Sequence, residues 1–178
     1  MEDAPATVTE QHTDIRRTGG VILSGLSSGH GLFHWLSQSV LVALPEIQSA
    51  FHLSAVGVGG ILTTRELASG IATLPGGVIA DVLRRHWGLL LAICIGGLSL
   101  GSLIIGLSPI YPLVLVGMAL MAVAHSVWHL PASASLSYYF PQRRGMALSF
   151  HGVGGSVGDV VGPVTTGALL AVLTWRGV

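Results

Sequence analysis

Apolar residues along this chain gather into five long runs, separated by short polar stretches. The runs cover about residues 21–44, 56–80, 87–107, 113–138 and 146–173. Each is about the length a helix needs to cross a bilayer, roughly 20 residues. The pattern predicts an all-α membrane protein with five transmembrane helices, forming one membrane domain over residues 21–178. Residues 1–20 carry Glu2, Asp3, Glu10 and Asp14, then Arg16 and Arg17, and read as a disordered polar tail. The first apolar run continues too far for a cleaved signal peptide, so it is read as a retained span that ends at Pro45.

The polar positions inside these runs differ from span to span. In span one, His30, His34 and Gln38 step by four and share one helix face. A lipid-facing helix would not carry such a row, so this face should line a wet cavity or pack as interhelical polar glue. Span two carries Arg65 and Glu66 near its middle. Neighbours on a helix point about 100° apart, so each is expected to need its own partner or water, with Asp159 one option for an internal pair. Gly57, Gly59 and Gly60 allow close packing near its start, and Pro75 with Gly76 and Gly77 suggests a bend. Span three is almost wholly aliphatic. Span four carries His125, Trp128 and His129, with the two histidines on one face. Span five carries Gly154, Gly158 and Gly162 at intervals of four, then Pro163, a close-packing stripe that also holds Asp159.

Composition sharpens the membrane reading. Of 178 residues, 51% are hydrophobic and 9% charged, lysine is absent, and mean hydropathy is +0.73. The formal net charge is zero, which gives no case for a nucleic-acid partner. The single cysteine, Cys94, excludes an intrachain disulfide. Arg16, Arg17, Arg84, Arg85, Arg143 and Arg144 fall on one side of the membrane if the helices alternate, against Arg176 on the other. That bias predicts a cytoplasmic N-terminus in the cell membrane. Trp87 and Trp175 read as interfacial anchors.

Three chemistries are open to the histidines: anion binding, proton exchange and metal ligation. His-x-x-x-His occurs twice, but no Glu follows the first His as in zinc hydrolases, so no metal site and no enzyme is expected. No Gly-x4-Gly-Lys-Ser/Thr loop is present, and no cofactor is implied.

The segment Gly77-Val-Ile-Ala-Asp81-Val-Leu-Arg84-Arg85-His86 resembles the hairpin after span two of major facilitator superfamily transporters, Gly-x-x-x-Asp-x-x-Gly-Arg-Arg/Lys. Arg84 stands for the second glycine and His86 for the last basic residue. Phe140-Pro-Gln-Arg143-Arg144-Gly145-Met-Ala147 is similar to that family's entry into span five. Gly158-x-x-x-Gly162-Pro163 resembles a motif of its antiporters, without the glycine pair that continues it. Span one, with Gly29-His-Gly-Leu-Phe-His-Trp35, is slightly similar to the fosmidomycin-resistance branch.

The resemblance implies twelve spans in two six-helix bundles, of which this chain supplies five and stops near a Trp-Arg pair that precedes the sixth. It implies a secondary transporter that moves a small solute by alternating access, driven by protons or the solute's own gradient. The partners are then the bilayer, the small molecule and a C-terminal half. Spans one and four would line the path, with His30, His34, Gln38, His125, Trp128 and His129 as pathway candidates; Arg65, Glu66 and Asp159 join them as ionisable residues within other spans. Gly77, Asp81, Arg84, Arg85, Arg143 and Arg144 would form a cytoplasmic latch, Asp81 pairing with Arg143, Arg144 or a helix end of the other half. The competing reading is a non-transporting membrane scaffold or remnant that docks on a partner through the glycine stripe of span five.

Overall fold

A computed structural model describes the backbone of residues 8–178 and the side chains from Gly19 onward, so residues 1–7 and the side chains of Arg16 and Arg17 lie outside the described part. The described residues form five helices and no strand. These are α1 (Val8–Ala50), α2 (Ala55–Val82), α3 (Trp87–Leu107), α4 (Tyr111–Tyr139) and α5 (Arg144–Leu170), with a single 3₁₀ turn at Arg84–His86 between α2 and α3. Two of them, α3 with its preceding turn and α4, are long and apolar enough on their own to cross a membrane. The polar row of α1, the Arg65 and Glu66 pair of α2 and the glycines of α5 dilute the apolar character of the other three.

The helix boundaries depart from the sequence reading at α1 and at the end of α5. α1 does not stop at Pro45 but runs through it to Ala50, and it already begins at Val8, inside the stretch expected to be a disordered tail. Proline removes one bond, to the carbonyl of Leu41, and membrane helices tolerate that loss. The helix ends instead at His52, whose φ of 51° is left-handed. Leu53 N–H donates to the Gln48 carbonyl at 2.9 Å and His52 N–H to that of Ser49 at 3.3 Å, the paired bonds of a Schellman cap. The Ser54 hydroxyl then accepts from Gly57 N–H and starts α2. α5 ends at Leu170, short of residue 173.

α1 packs along α5, while α4 packs against both α2 and α3, and lighter contacts from α4 to α1 and α5 join the two groups. Small residues set these approaches. Gly101 of α3 and Gly117 of α4 lie so close that a Cβ on Gly101 would stand 2.8 Å from the Gly117 carbonyl oxygen. Between α2 and α4, Tyr111 donates to the Gly57 carbonyl at 2.8 Å, and the Thr73 and Ser126 hydroxyls meet at 2.8 Å. The tight packing expected near the start of α2 holds at Gly57 and Gly60, whereas Gly59 faces open space. Phe33, Ile61, Leu98, Val114, Trp128, Ala132 and Leu136 fill the interior.

The outer surface is apolar in helical stripes. Leu67, Ile71, Leu74, Val78 and Val82 are exposed along α2, Leu89, Ile93, Leu100, Leu103 and Leu107 along α3, and Phe150, Val153, Val157, Val160 and Val164 along α5. Such continuous apolar faces suit hydrocarbon rather than water.

Trp175 is not an interfacial anchor. It is buried, packs against Phe51 and lies beneath the Arg176 guanidinium at 4.1 Å from its ring. Arg176 donates to the Ser108 carbonyl at 2.8 Å. The tail after α5 therefore folds back over the α1 and α3 ends. Trp87 keeps an edge position, its indole N–H donating to the Ala80 carbonyl at 2.8 Å.

Candidate functional site

The glycines of α5 bring its backbone against α1. A Cβ on Gly158 would stand 2.8 Å from the Cβ of His34, and one on Gly162 would stand 2.9 Å from the Cβ of Gln38. The stripe Gly154, Gly158 and Gly162 is thus covered by α1 and is not a free docking face. Gly29 and Gly155 make room in the same way for the rings of Trp128 and His30.

This close approach lets a polar ladder form across α1 and α5. The carboxylate oxygen Oδ1 of Asp159 accepts from His34 Nδ1–H and from Gln38 Nε2–H, both at 2.9 Å. Thr166 donates to the Ser39 hydroxyl at 2.7 Å, and His30 Nδ1–H donates to the His151 carbonyl at 2.7 Å. From α4, His129 Nδ1–H donates to the His125 carbonyl at 2.7 Å, and its Nε2 lies 2.9 Å from His30 Nε2. His151 stacks on His30 with ring centroids 4.2 Å apart, and Trp128 lies parallel beyond them. Five histidines from three helices, with Trp128, Gln38 and Asp159, therefore make one cluster.

Among the described residues, His125 Nε2 and Trp128 Nε1 are buried without a protein hydrogen-bond partner, and groups of this kind are commonly satisfied by water or a ligand. His151 was not singled out from the sequence. It lies four residues before Gly155 and seven before Gly158 on the face that meets α1, and that spacing is the signal that would have found it.

Arg65 and Glu66 lie beside the cluster but outside it. With Ser37, Ser69, Met121 and His125 they line a cavity of about 140 Å³ between α1, α2 and α4. The two side chains meet only loosely, and that of Glu66 is largely exposed. Arg65 Nη1 is 3.6 Å from Glu66 Oε1, because long side chains can bend back across the angle between neighbours. Asp159 pairs with His34, not with Arg65.

The hairpin group is separate again. Asp81 pairs with Arg84, one turn on, at 3.3 Å and in the open. Among the described residues no ion pair joins it to Arg143 or Arg144. Gly77 has open space where a Cβ would stand, while Gly76 packs on Val127 and Leu130 of α4. Val21 and Ile22 share a pocket with Arg84, Arg85 and Tyr139, and Gly19 faces the ring of Phe140. The hairpin and the loop between α4 and α5 thus meet the same end of the bundle. Arg176 lies with Gly106 and Ser108 at the far end of α3.

His30, His34 and His129 each offer a ring nitrogen, all within 4.8 Å of one another. Two nitrogens at 2.0–2.1 Å from a tetrahedral zinc ion would stand about 3.3 Å apart. The 2.9 Å between the two Nε2 atoms suits a hydrogen bond better.

The family model described as Major Facilitator Superfamily matches residues 26–178. The chain belongs to this superfamily. It is similar to the fosmidomycin resistance protein of Escherichia coli (strain K12), 29% identical over 167 residues that cover 94% of this chain and 41% of that protein. It is also similar to the multidrug resistance protein Stp of Mycobacterium tuberculosis (strain CDC 1551 / Oshkosh), 25% identical over 88% of this chain and 30% of that one. The quinolone resistance protein NorB of Staphylococcus aureus (strain JH9) is 28% identical over 88% of this chain and 33% of its own length. The chain spans less than half the length of these relatives. As a superfamily member it is an integral membrane protein, and its helical bundle agrees with the N-terminal portion of that fold.

Proposed function

We propose that this chain is the N-terminal portion of a secondary transporter that moves small organic solutes by alternating access against a second helical bundle. The observation that carries this reading is the polar cluster of α1, α4 and α5 inside a bundle whose outer faces are apolar. Ionisable groups in a membrane interior are expensive, and they characterise solute and ion pathways. The chemistry of the cluster supports coupling to a proton gradient, since imidazole and carboxylate both exchange protons. The printed names of the relatives favour export of antimicrobial compounds. The clustering of Arg84 and Arg85 near the loop of Arg143 and Arg144, with Arg176 far away, favours a cytoplasmic N-terminus. In this reading the exposed Asp81–Arg84 pair is a latch that exchanges partners as the bundles rock.

The test is drug susceptibility of an exporter-deficient bacterial strain expressing the complete reading frame that contains these residues. Raised tolerance to fosmidomycin, puromycin or a quinolone that disappears in Asp159→Asn supports the reading. Unchanged tolerance, with no gradient-driven flux of these compounds in proteoliposomes, rejects it. The glycine stripe that the scaffold reading needs packs against α1, which favours the transport reading.

A further inference from the structure

The two central histidines contain more hydrogen-bond demand than two neutral rings can meet. His30 Nδ1 faces the His151 carbonyl oxygen and His129 Nδ1 faces the His125 carbonyl oxygen, each at 2.7 Å. A carbonyl only accepts, so both Nδ1 atoms carry hydrogen. A neutral imidazole has one N–H, so both Nε2 atoms would then be bare lone pairs. Yet these atoms lie 2.9 Å apart, which is hydrogen-bond distance. One further proton between them resolves the conflict, giving three N–H hydrogens on two rings.

We infer that His30 and His129 hold one shared proton between their Nε2 atoms, so that the pair carries a single positive charge, and that Asp159 is its counter-charge. Asp159 reaches the pair through His34, whose ring lies 4.6 Å from that of His30, centroid to centroid. With His34 neutral, its Nδ1–H donated to the carboxylate, the group sums to zero charge. An ion pair inside a membrane protein survives only with such neutralisation and hydrogen bonding.

Charged and titratable groups reach the pair from each packed element. α1 supplies His34, α4 supplies His125, and α5 supplies His151 and Asp159. On α2, Arg65 and Glu66 lie across the cavity that His125 also lines. Only Asp159 among these is an anion in hydrogen-bond contact with the histidines. On the transport reading proposed above, on which this step rests, the pair is where the bundle loads its coupling proton.

The test is solid-state nitrogen NMR of the intact protein, reconstituted in lipid bilayers with ring-labelled histidine. The expected result at pH 7 is one imidazolium ring joined to a neutral ring by an N–H···N bond, seen as a nitrogen–nitrogen scalar coupling. That coupling persists in His125→Gln and is lost in His129→Gln. Asp159→Asn weakens the imidazolium signal at pH 7. Two neutral rings without coupling in the unmutated protein overturn the inference, as does a stoichiometric metal bound to these rings. An unchanged signal in Asp159→Asn overturns the counter-charge assignment. The spectra do not depend on flux, so a protein that shows the coupling but moves no solute rejects transport alone.

Discussion

Asp159 receives two hydrogen bonds on one oxygen, from His34 and Gln38. An asparagine there keeps a carbonyl oxygen in the same place and can accept both. Asp159→Asn should therefore unfold within about 1 kcal/mol of the parent, while the drug tolerance conferred by the full transporter disappears. Thermal melts in detergent and drug susceptibility check the two halves. Arg176 is the second residue with a clear outcome. It stacks on Trp175 and donates to the Ser108 carbonyl, so Arg176→Ala should cost about 1–2 kcal/mol, read as a lower melting temperature. At this scale the sequence showed every member of the cluster except His151. The step of four from His30 to Gln38 and the pair His125 and His129 were visible as helix faces. His151 was hidden because its companions on that face are glycines, which register as packing and not as chemistry. Arg65 and Glu66 approach each other at 3.6 Å, because direction at Cβ does not fix where a long side chain ends.

Helices α1 and α5 meet through backbone, and this sets the tolerance of their interface. Replacing Gly158 with Val places branched carbons against His34 Cβ and the Gly31 carbonyl, and overpacking of this kind costs about 1–3 kcal/mol. The expected result is a lower melting temperature together with loss of the His34–Asp159 contact, followed by crosslinking between cysteines introduced in α1 and α5. The cap of α1 gives the opposite prediction. His52 holds a left-handed φ that glycine adopts without strain, so His52→Gly should stabilise by about 1 kcal/mol. The ends of α3 were legible to the residue, because an aliphatic run between charged and proline-containing turns leaves little choice. The end of α1 was not, because Pro45 reads as a stop and a membrane helix can carry proline through. Pro75, Pro131 and Pro163 lie inside helices in the same way.

The whole molecule joins the α1–α5 pair to the α2–α4–α3 group mainly through α4. Membership of the superfamily, the number of helices and their order were all legible from spacing and from the hairpin of Asp81. Which helices touch was not, because periodicity gives a face but not its partner. If the N-terminus is cytoplasmic, a cysteine placed at Gly145 should react with a membrane-impermeant thiol reagent only from the cytoplasmic side. One placed at Ile110, between α3 and α4, should react only from outside; the reverse pattern inverts the orientation.

The His34–Asp159 contact spans 125 residues of chain, and that separation bears on biogenesis. A ribosome adding 5–20 residues per second exposes α1 roughly ten seconds before Asp159 follows. During that interval the least apolar helix has its imidazole row without its partner on α5. It must wait in the insertion machinery or against a chaperone, since lipid offers those groups nothing. A chain interrupted after α4 would therefore leave α1 exposed to membrane quality control, and its turnover should outpace that of a chain that reaches α5.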